Sequence, residues 1–240
     1  MRSQLVLDGS LSPGFTPGRL RCLKGMKSHT EDGILVLADI SGFTAFVTAT
    51  EIEHGPPMVA ELLGQVMARL SPPLEIQEVE GDAVFALGPD RTLRTPASLL
   101  DVLEDAFAAF RTRQRELAAD ESCSCRACRS VGSLDLKIVA HHGKFLRQMV
   151  GSRSQAAGAN VVLAHRLLKN GLEDKPAYIL LTEAALRWAG VDPEQAGLLP
   201  HTERYEHFGE VRCFVRDLGE DVARAEESDD EATREYAFAD

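Results

Sequence analysis

The chain has 240 residues, 44% of them hydrophobic and 26% charged, the balance of one large globular domain with a buried core rather than of a disordered or fibrous chain. Its formal net charge is −11, and an acidic surface repels phosphate backbones, which argues against nucleic acid as a partner; a small nucleotide stays open, because a divalent ion neutralises phosphates locally. No apolar run approaches the roughly 20 residues that span a bilayer, and residues 1–7 lack the long apolar stretch of a secretory signal, so a cytoplasmic protein with no membrane partner is expected.

Residues 1–32 are rich in Gly, Pro and Ser and read as an N-terminal arm. The β-prone run Ile34-Leu35-Val36-Leu37-Ala38 predicts a buried strand ending at Asp39, and Ser41-Gly42 predicts a turn into a helix through Phe43, Phe46 and Val47. Pro56-Pro57 marks a break. Met58, Leu62, Leu63, Val66 and Leu70 then recur at helical spacing until Pro72-Pro73. Two strands, 74–79 and 83–87, flank the tight Glu80-Gly81-Asp82 turn. A helix is expected from Pro96 to about Ala119, its apolar face formed by Leu99, Leu100, Leu103, Phe107 and Phe110. Beyond a cysteine-bearing loop at 120–132, a second hairpin of 134–140 and 145–150 is expected to turn near His142-Gly143. Val161 to Leu168 reads as a helix capped by Gly171, Tyr178 to Leu181 as a strand, and Thr182 as the cap of a helix to Trp188. Strands 205–208 and 211–215 follow, then an acidic tail over 219–240. Hairpins mixed with crossover helices predict an α+β domain over 33–218, a mostly antiparallel sheet with helices packed on one side.

Five cysteines, an odd number with three of them clustered, fit poorly with a secreted disulfide framework. Cys123, Cys125 and Cys128 are spaced to share one Zn²⁺, which normally takes four ligands. The fourth could come from His141, His142, another cysteine or a partner subunit; a redox-sensitive loop or unliganded thiols are the alternatives.

Asp39 and Asp82 each sit where a strand meets a tight turn. If their strands pair, two carboxylates meet at one sheet edge, the hard-oxygen set that Mg²⁺ or Mn²⁺ requires, with substrate phosphates completing the shell. Ser41-Gly42-Phe43-Thr44 would then place a helix start beside those phosphates. On chemistry alone, both aspartates read more simply as ordinary turn residues.

The run Leu37-Ala38-Asp39-Ile40-Ser41-Gly42-Phe43-Thr44 resembles the first metal-binding motif of class III adenylyl and guanylyl cyclases. Glu78 to Ala83 resembles their second motif, Leu136 to Gly143 their next hairpin, and Gly158 to Leu167 the helix that follows. The motifs keep family order and span about 33–216. The resemblance implies a ferredoxin-like palm and a two-metal site of Asp39 and Asp82, with the Ile40 carbonyl assisting. It also implies ATP or GTP as ligand, phosphate contacts from Ser41, Gly42, Phe43 and Thr44, and base-reading positions at Glu78 and Gln155. Arg166 falls on the catalytic arginine that stabilises transferring-phosphate charge. The resemblance implies a homodimer, with the aspartates from one chain and Arg166 from the other. The implied reaction converts ATP or GTP to a cyclic nucleotide and pyrophosphate.

Three positions depart from that pattern. Val162 stands where the family has a transition-state asparagine four residues before the arginine; losing such a donor typically costs about 10²–10³ in rate. Asn160 is two residues away and points elsewhere on a helix. Gln155 matches neither usual base-reading choice, and Arg212 is only a loose counterpart of the phosphate-binding lysine. A degenerate nucleotide-sensing or protein-interaction module is therefore the second reading, alongside slow catalysis.

Overall fold

The computed structural model describes residues 28–92, 98–120 and 122–219. The expected arm up to residue 27, the expected helix start at Pro96 and the acidic tail from 220 lie outside the described residues.

The elements in chain order are β1 (Ser28–Ser41), α1 (Phe43–Ala49), α2 (Gly55–Leu70), β2 (Glu75–Glu80), β3 (Ala83–Pro89) and α3 (Leu99–Ala119). They continue with α4 (Arg126–Ser130), β4 (Asp135–Val150), β5 (Arg153–Ala157) and α5 (Ala159–Leu167). The last are β6 (Tyr178–Thr182), α6 (Glu183–Ala189), β7 (Leu199–Tyr205) and β8 (Gly209–Asp217). The eight strands form one sheet in the order β2-β3-β1-β4-β6-β8-β7, with β5 hairpinned onto β4. All neighbours are antiparallel except β4 and β6. This is the expected α+β fold.

Strand alternation divides the core. Ile34, Val36, Ala38 and Ile40 of β1 face one side, where they meet Leu62 and Val66 of α2, Leu103 and Phe110 of α3, Ala127 of α4 and Leu186 of α6. Fully burying such a side chain is worth about 1.5–3 kcal/mol, so this layer dominates the stability of the domain. Leu35 and Leu37 face the other side, where Val161 and Ala164 of α5 cover them. The helices are thus not all on one side: α5 lies alone on the opposite face. Asp39 shares the parity of Leu37 and faces α5.

Several boundaries differ from the sequence reading. β1 starts at Ser28, because residues 28–33 pair with the distal half of β4. The expected hairpin at 134–150 is one uninterrupted strand, since β1 is long enough to pair with it from Asp135 to Gln148. Pro56 and Pro57 open α2 rather than separate it from its neighbours, as the free N–H positions of a first turn allow. The last hairpin begins at Leu199 rather than Tyr205, and α5 ends at Leu167, close to the expected Leu168, with Leu168 rather than Gly171 as its cap. Thr182 caps α6 as expected, its hydroxyl accepting from the Ala185 N–H at 3.2 Å.

Candidate functional site

A cleft of about 960 Å³ opens between the C-terminal end of β1, the β2–β3 turn and α5. Asp39, Asp82 and Arg166 all line it, as do Glu78, Lys137, Val162 and Lys169. Antiparallel pairing sets Asp39 opposite Ala83, one residue past Asp82, and the Ile40 N–H donates to the Asp82 carbonyl at 3.1 Å. The two carboxylates are therefore neighbours. Burial first, and then the Asp39 charge, push the Asp82 carboxyl above its ordinary value, while Lys137 pulls it down.

Lys137 is a site residue that the sequence did not single out. The β1–β4 register sets it opposite Asp39, and its ammonium pairs with the Asp39 carboxylate at 3.0 Å, both side chains about one-fifth exposed. The signal was present as one lysine among apolar residues of a strand, but its partner depends on a pairing across almost a hundred residues of chain.

Two other cations reach the cleft from α5 and the turn beyond it, Arg166 and Lys169. Val162, half exposed, lies one turn before Arg166 on the same helix face. Asn160 does not substitute for it: its amide donates to the Lys144 carbonyl at 2.8 Å, and its oxygen sits 3.0 Å from His141 Nε2. That side chain also occupies the space beside Gly143, where an added Cβ would lie 2.5 Å from it.

A second cavity of about 500 Å³ joins the cleft through shared walls at Glu78, Phe85, Val161 and His165. Gln155 and Arg153 on β5 line its far side. The two expected base-reading positions thus both line this smaller cavity, and Glu78 also lines the cleft that holds the aspartates.

The expected phosphate residues divide. Ser41 and Gly42 line an adjoining cavity of about 630 Å³ that shares Lys137 and Lys169 with the cleft. Gly42 is left-handed at φ 82°, the conformation that turns the chain from β1 into α1. Phe43 instead packs towards Val59 and Leu63 of α2. Thr44 is exposed, and its carbonyl accepts from the Thr48 hydroxyl at 2.8 Å. Neither lines the cleft. Arg212 is also elsewhere, paired with Glu183 at 2.9 Å.

The three clustered cysteines meet at a separate point with His54, the residue before α2. His141 and His142, the histidines proposed for that role, are committed elsewhere. His141 is buried between Thr182 and Asn160, and His142 stacks on Trp188 and contacts Asp90 at 2.9 Å.

The donor set in the cleft fits a divalent ion. Two carboxylates held together, one with raised proton affinity, are electrostatically frustrated, and a hard cation relieves that frustration. The Lys137 ammonium satisfies only one of them.

Comparison with known proteins agrees with this fold. Residues 59–177 match the family described as protein of unknown function DUF2652. An uncharacterized protein of Mycobacterium tuberculosis, Rv2561/Rv2562, is 29% identical over 145 residues; the match spans 60% of this chain and 66% of that protein, just under two thirds of it. Among solved structures, the adenylyl cyclase CyaB from Pseudomonas aeruginosa superposes with a TM-score of 0.61 at 13% identity, covering 80% of this chain and 96% of its own. The guanylyl cyclase Cya2 gives 0.58 at 16% identity, covering 78% and 92%. A class III adenylyl cyclase-like ATP-binding protein from P. aeruginosa gives 0.53 at 18%, covering 67% and 35%. The fold is that of the class III nucleotidyl cyclases. Among the described residues, no helix is long and apolar enough to cross a membrane.

Proposed function

We propose that this chain binds a purine nucleoside triphosphate together with Mg²⁺ or Mn²⁺ in the cleft beneath α5, and that its conversion to cyclic nucleotide and pyrophosphate is slow. The observation that carries the reading is the pair Asp39 and Asp82, close enough for one charge to raise the proton affinity of the other and sharing one cleft with Arg166. The carboxylates of Asp39 and Asp82, with the Ile40 carbonyl, would hold the ion. When bound, the ion neutralises triphosphate charge and lowers the proton affinity of the attacking ribose hydroxyl.

The chain's own residues supply the rest. Arg166 and Lys169 direct positive charge at the phosphates, and the Arg166 fork can contact two oxygens at once. Ser41 and Gly42 border the phosphate end. Glu78 and Gln155 face the base end, where Glu78 can accept from guanine N–H groups, favouring GTP over ATP. A homodimer belongs to the proposal: Val79 and Val162 leave apolar surface at the rim, 48% and 50% exposed, which a second copy would cover while presenting its own Arg166.

Two observations favour a nucleotide sensor over an efficient cyclase. Val162 lines the cleft one turn before Arg166 and offers no hydrogen bond there, and the Lys137 ammonium already pairs with Asp39, where an ion would have to compete with it. The adenylyl cyclase-like ATP-binding protein from P. aeruginosa gives this reading a precedent in the fold. The test is incubation of the purified chain with GTP or ATP and Mn²⁺, followed by mass detection of cyclic product. The wild type should form little or none, and Val162→Asn should raise the rate at least tenfold, a fraction of what one such donor is worth. A fast wild type, or no gain in a variant that still binds nucleotide, contradicts the slow-cyclase account.

A further inference from the structure

The cysteine cluster is the strongest feature that the nucleotide reading leaves unused. His54 Nδ1 lies 3.1 Å from Cys125 Sγ, 3.5 Å from Cys123 Sγ and 3.7 Å from Cys128 Sγ. Cys125 and Cys128 sulfurs are 3.4 Å apart, and all four donor atoms lie within 4.8 Å of one another. Zn–S bonds of about 2.3 Å and a Zn–N bond of about 2.0–2.1 Å in a tetrahedron set S···S edges near 3.8 Å and S···N edges near 3.6 Å. Several of the observed separations approach those edges; the others are a few tenths of an ångström shorter. The pairs are too far apart for disulfides, which need S–S near 2.05 Å, and all three cysteines are free thiols.

The surroundings suit a metal-bound thiolate centre. The Cys128 N–H points at Cys125 Sγ at 3.4 Å, so a backbone donor faces a sulfur that carries charge when ligated. Glu51 accepts from the Arg126 and Ala127 N–H groups, each at 3.2 Å, and locks α4 against the α1–α2 linker that bears His54. We propose that His54, Cys123, Cys125 and Cys128 form a closed Cys₃His site for one structural Zn²⁺, joining the α1–α2 linker to the loop before β4. On binding, the three thiols release their protons to solvent, His54 binds through neutral Nδ1, and the centre carries one net negative charge. With all four positions filled by protein, the ion has no open coordination site and does no chemistry of its own.

The site is independent of the nucleotide cleft, so it is tested without nucleotide. The full chain, purified reduced and without chelator, should carry one zinc per molecule by elemental analysis. X-ray absorption at the zinc edge should give three sulfurs near 2.3 Å and one nitrogen near 2.0–2.1 Å. Cys125→Ser and His54→Ala should lose most of the zinc, while His207→Ala, in the exposed β7–β8 turn, should keep all of it. The edge spectrum needs no variant, so a misfolded mutant leaves the test intact. Protein without zinc, an intramolecular disulfide among these cysteines in freshly purified chain, a four-sulfur spectrum, or unchanged zinc in folded His54→Ala overturns the proposal.

Discussion

Asp82 is held next to Asp39 at an energetic cost that Lys137 offsets only in part. Its carboxyl is half-buried and its proton affinity is raised, first by burial and then by Asp39, so a neutral isostere removes a destabilising charge. Asp82→Asn should therefore raise the melting temperature of the metal-free chain by about 1–3 °C, the shift that a few tenths to 1 kcal/mol produces in a domain of this size. The same substitution should abolish Mn²⁺-dependent nucleotide binding. Thermal melts with and without Mn²⁺ check both halves, and a destabilised variant would contradict the frustrated-pair description. Because the folded-state proton affinity of Asp82 is raised, protons compete with Mn²⁺ for it more strongly than for an ordinary carboxylate, and metal affinity should climb as pH rises through that raised value. Lys137 works against the metal from the other side. Lys137→Met frees Asp39 from a partly exposed ion pair worth about 1 kcal/mol or less. It should tighten Mn²⁺ binding by up to about fivefold while weakening the triphosphate contact, which a metal titration followed by a nucleotide titration separates.

At the scale of elements, the cleft depends on α5 lying alone on its side of the sheet, and on α1 turning away to the other. That division could not be read from the sequence. Apolar spacing marked α2 and α3, and turn and cap residues helped to mark α1, α5 and α6, but neither signal says which sheet face a helix covers. The Asp39 strand and the tight Asp82 turn were legible, since β-prone residues and a Gly-Asp turn are local signals; the uninterrupted β4 was not, because Gly143 reads as a turn until β1 is seen to pair straight past it. His54 was invisible as a companion of the cysteines for the same reason, being joined to them only through the packing of α1, α2 and α4. If zinc holds these elements together, stripping it should lower the melting temperature by about 5–10 °C, the shift expected for the loss of 2–3 kcal/mol of linked binding energy. Differential scanning calorimetry with and without a strong chelator measures it, and an unchanged transition in protein shown to have lost its zinc would mean the staple carries no load.

For the molecule as a whole, pH offers a check on how the sheet is joined beneath α5. His141 is buried between Thr182 and Asn160, and burial lowers its proton affinity. The unfolded chain takes up the proton first as pH falls through the ordinary histidine value near 6.5. The stability contributed by this group is thus fully present above that pH and is lost as pH falls towards the lower folded-state value. Denaturation midpoints should drop over that interval, and His141→Gln should flatten the drop; an equally steep profile in the variant would assign the loss to other groups. The central claim, however, is that the acidic pair makes this a metal-dependent nucleotide-binding fold. Calorimetric titration of the full chain with GTP and with ATP, each with and without Mn²⁺, tests it most directly. The account predicts Mn²⁺-dependent binding, tighter for GTP and abolished in Asp39→Ala that still melts cooperatively; no binding of either triphosphate in Mn²⁺, or binding by Asp39→Ala equal to wild type, would contradict it.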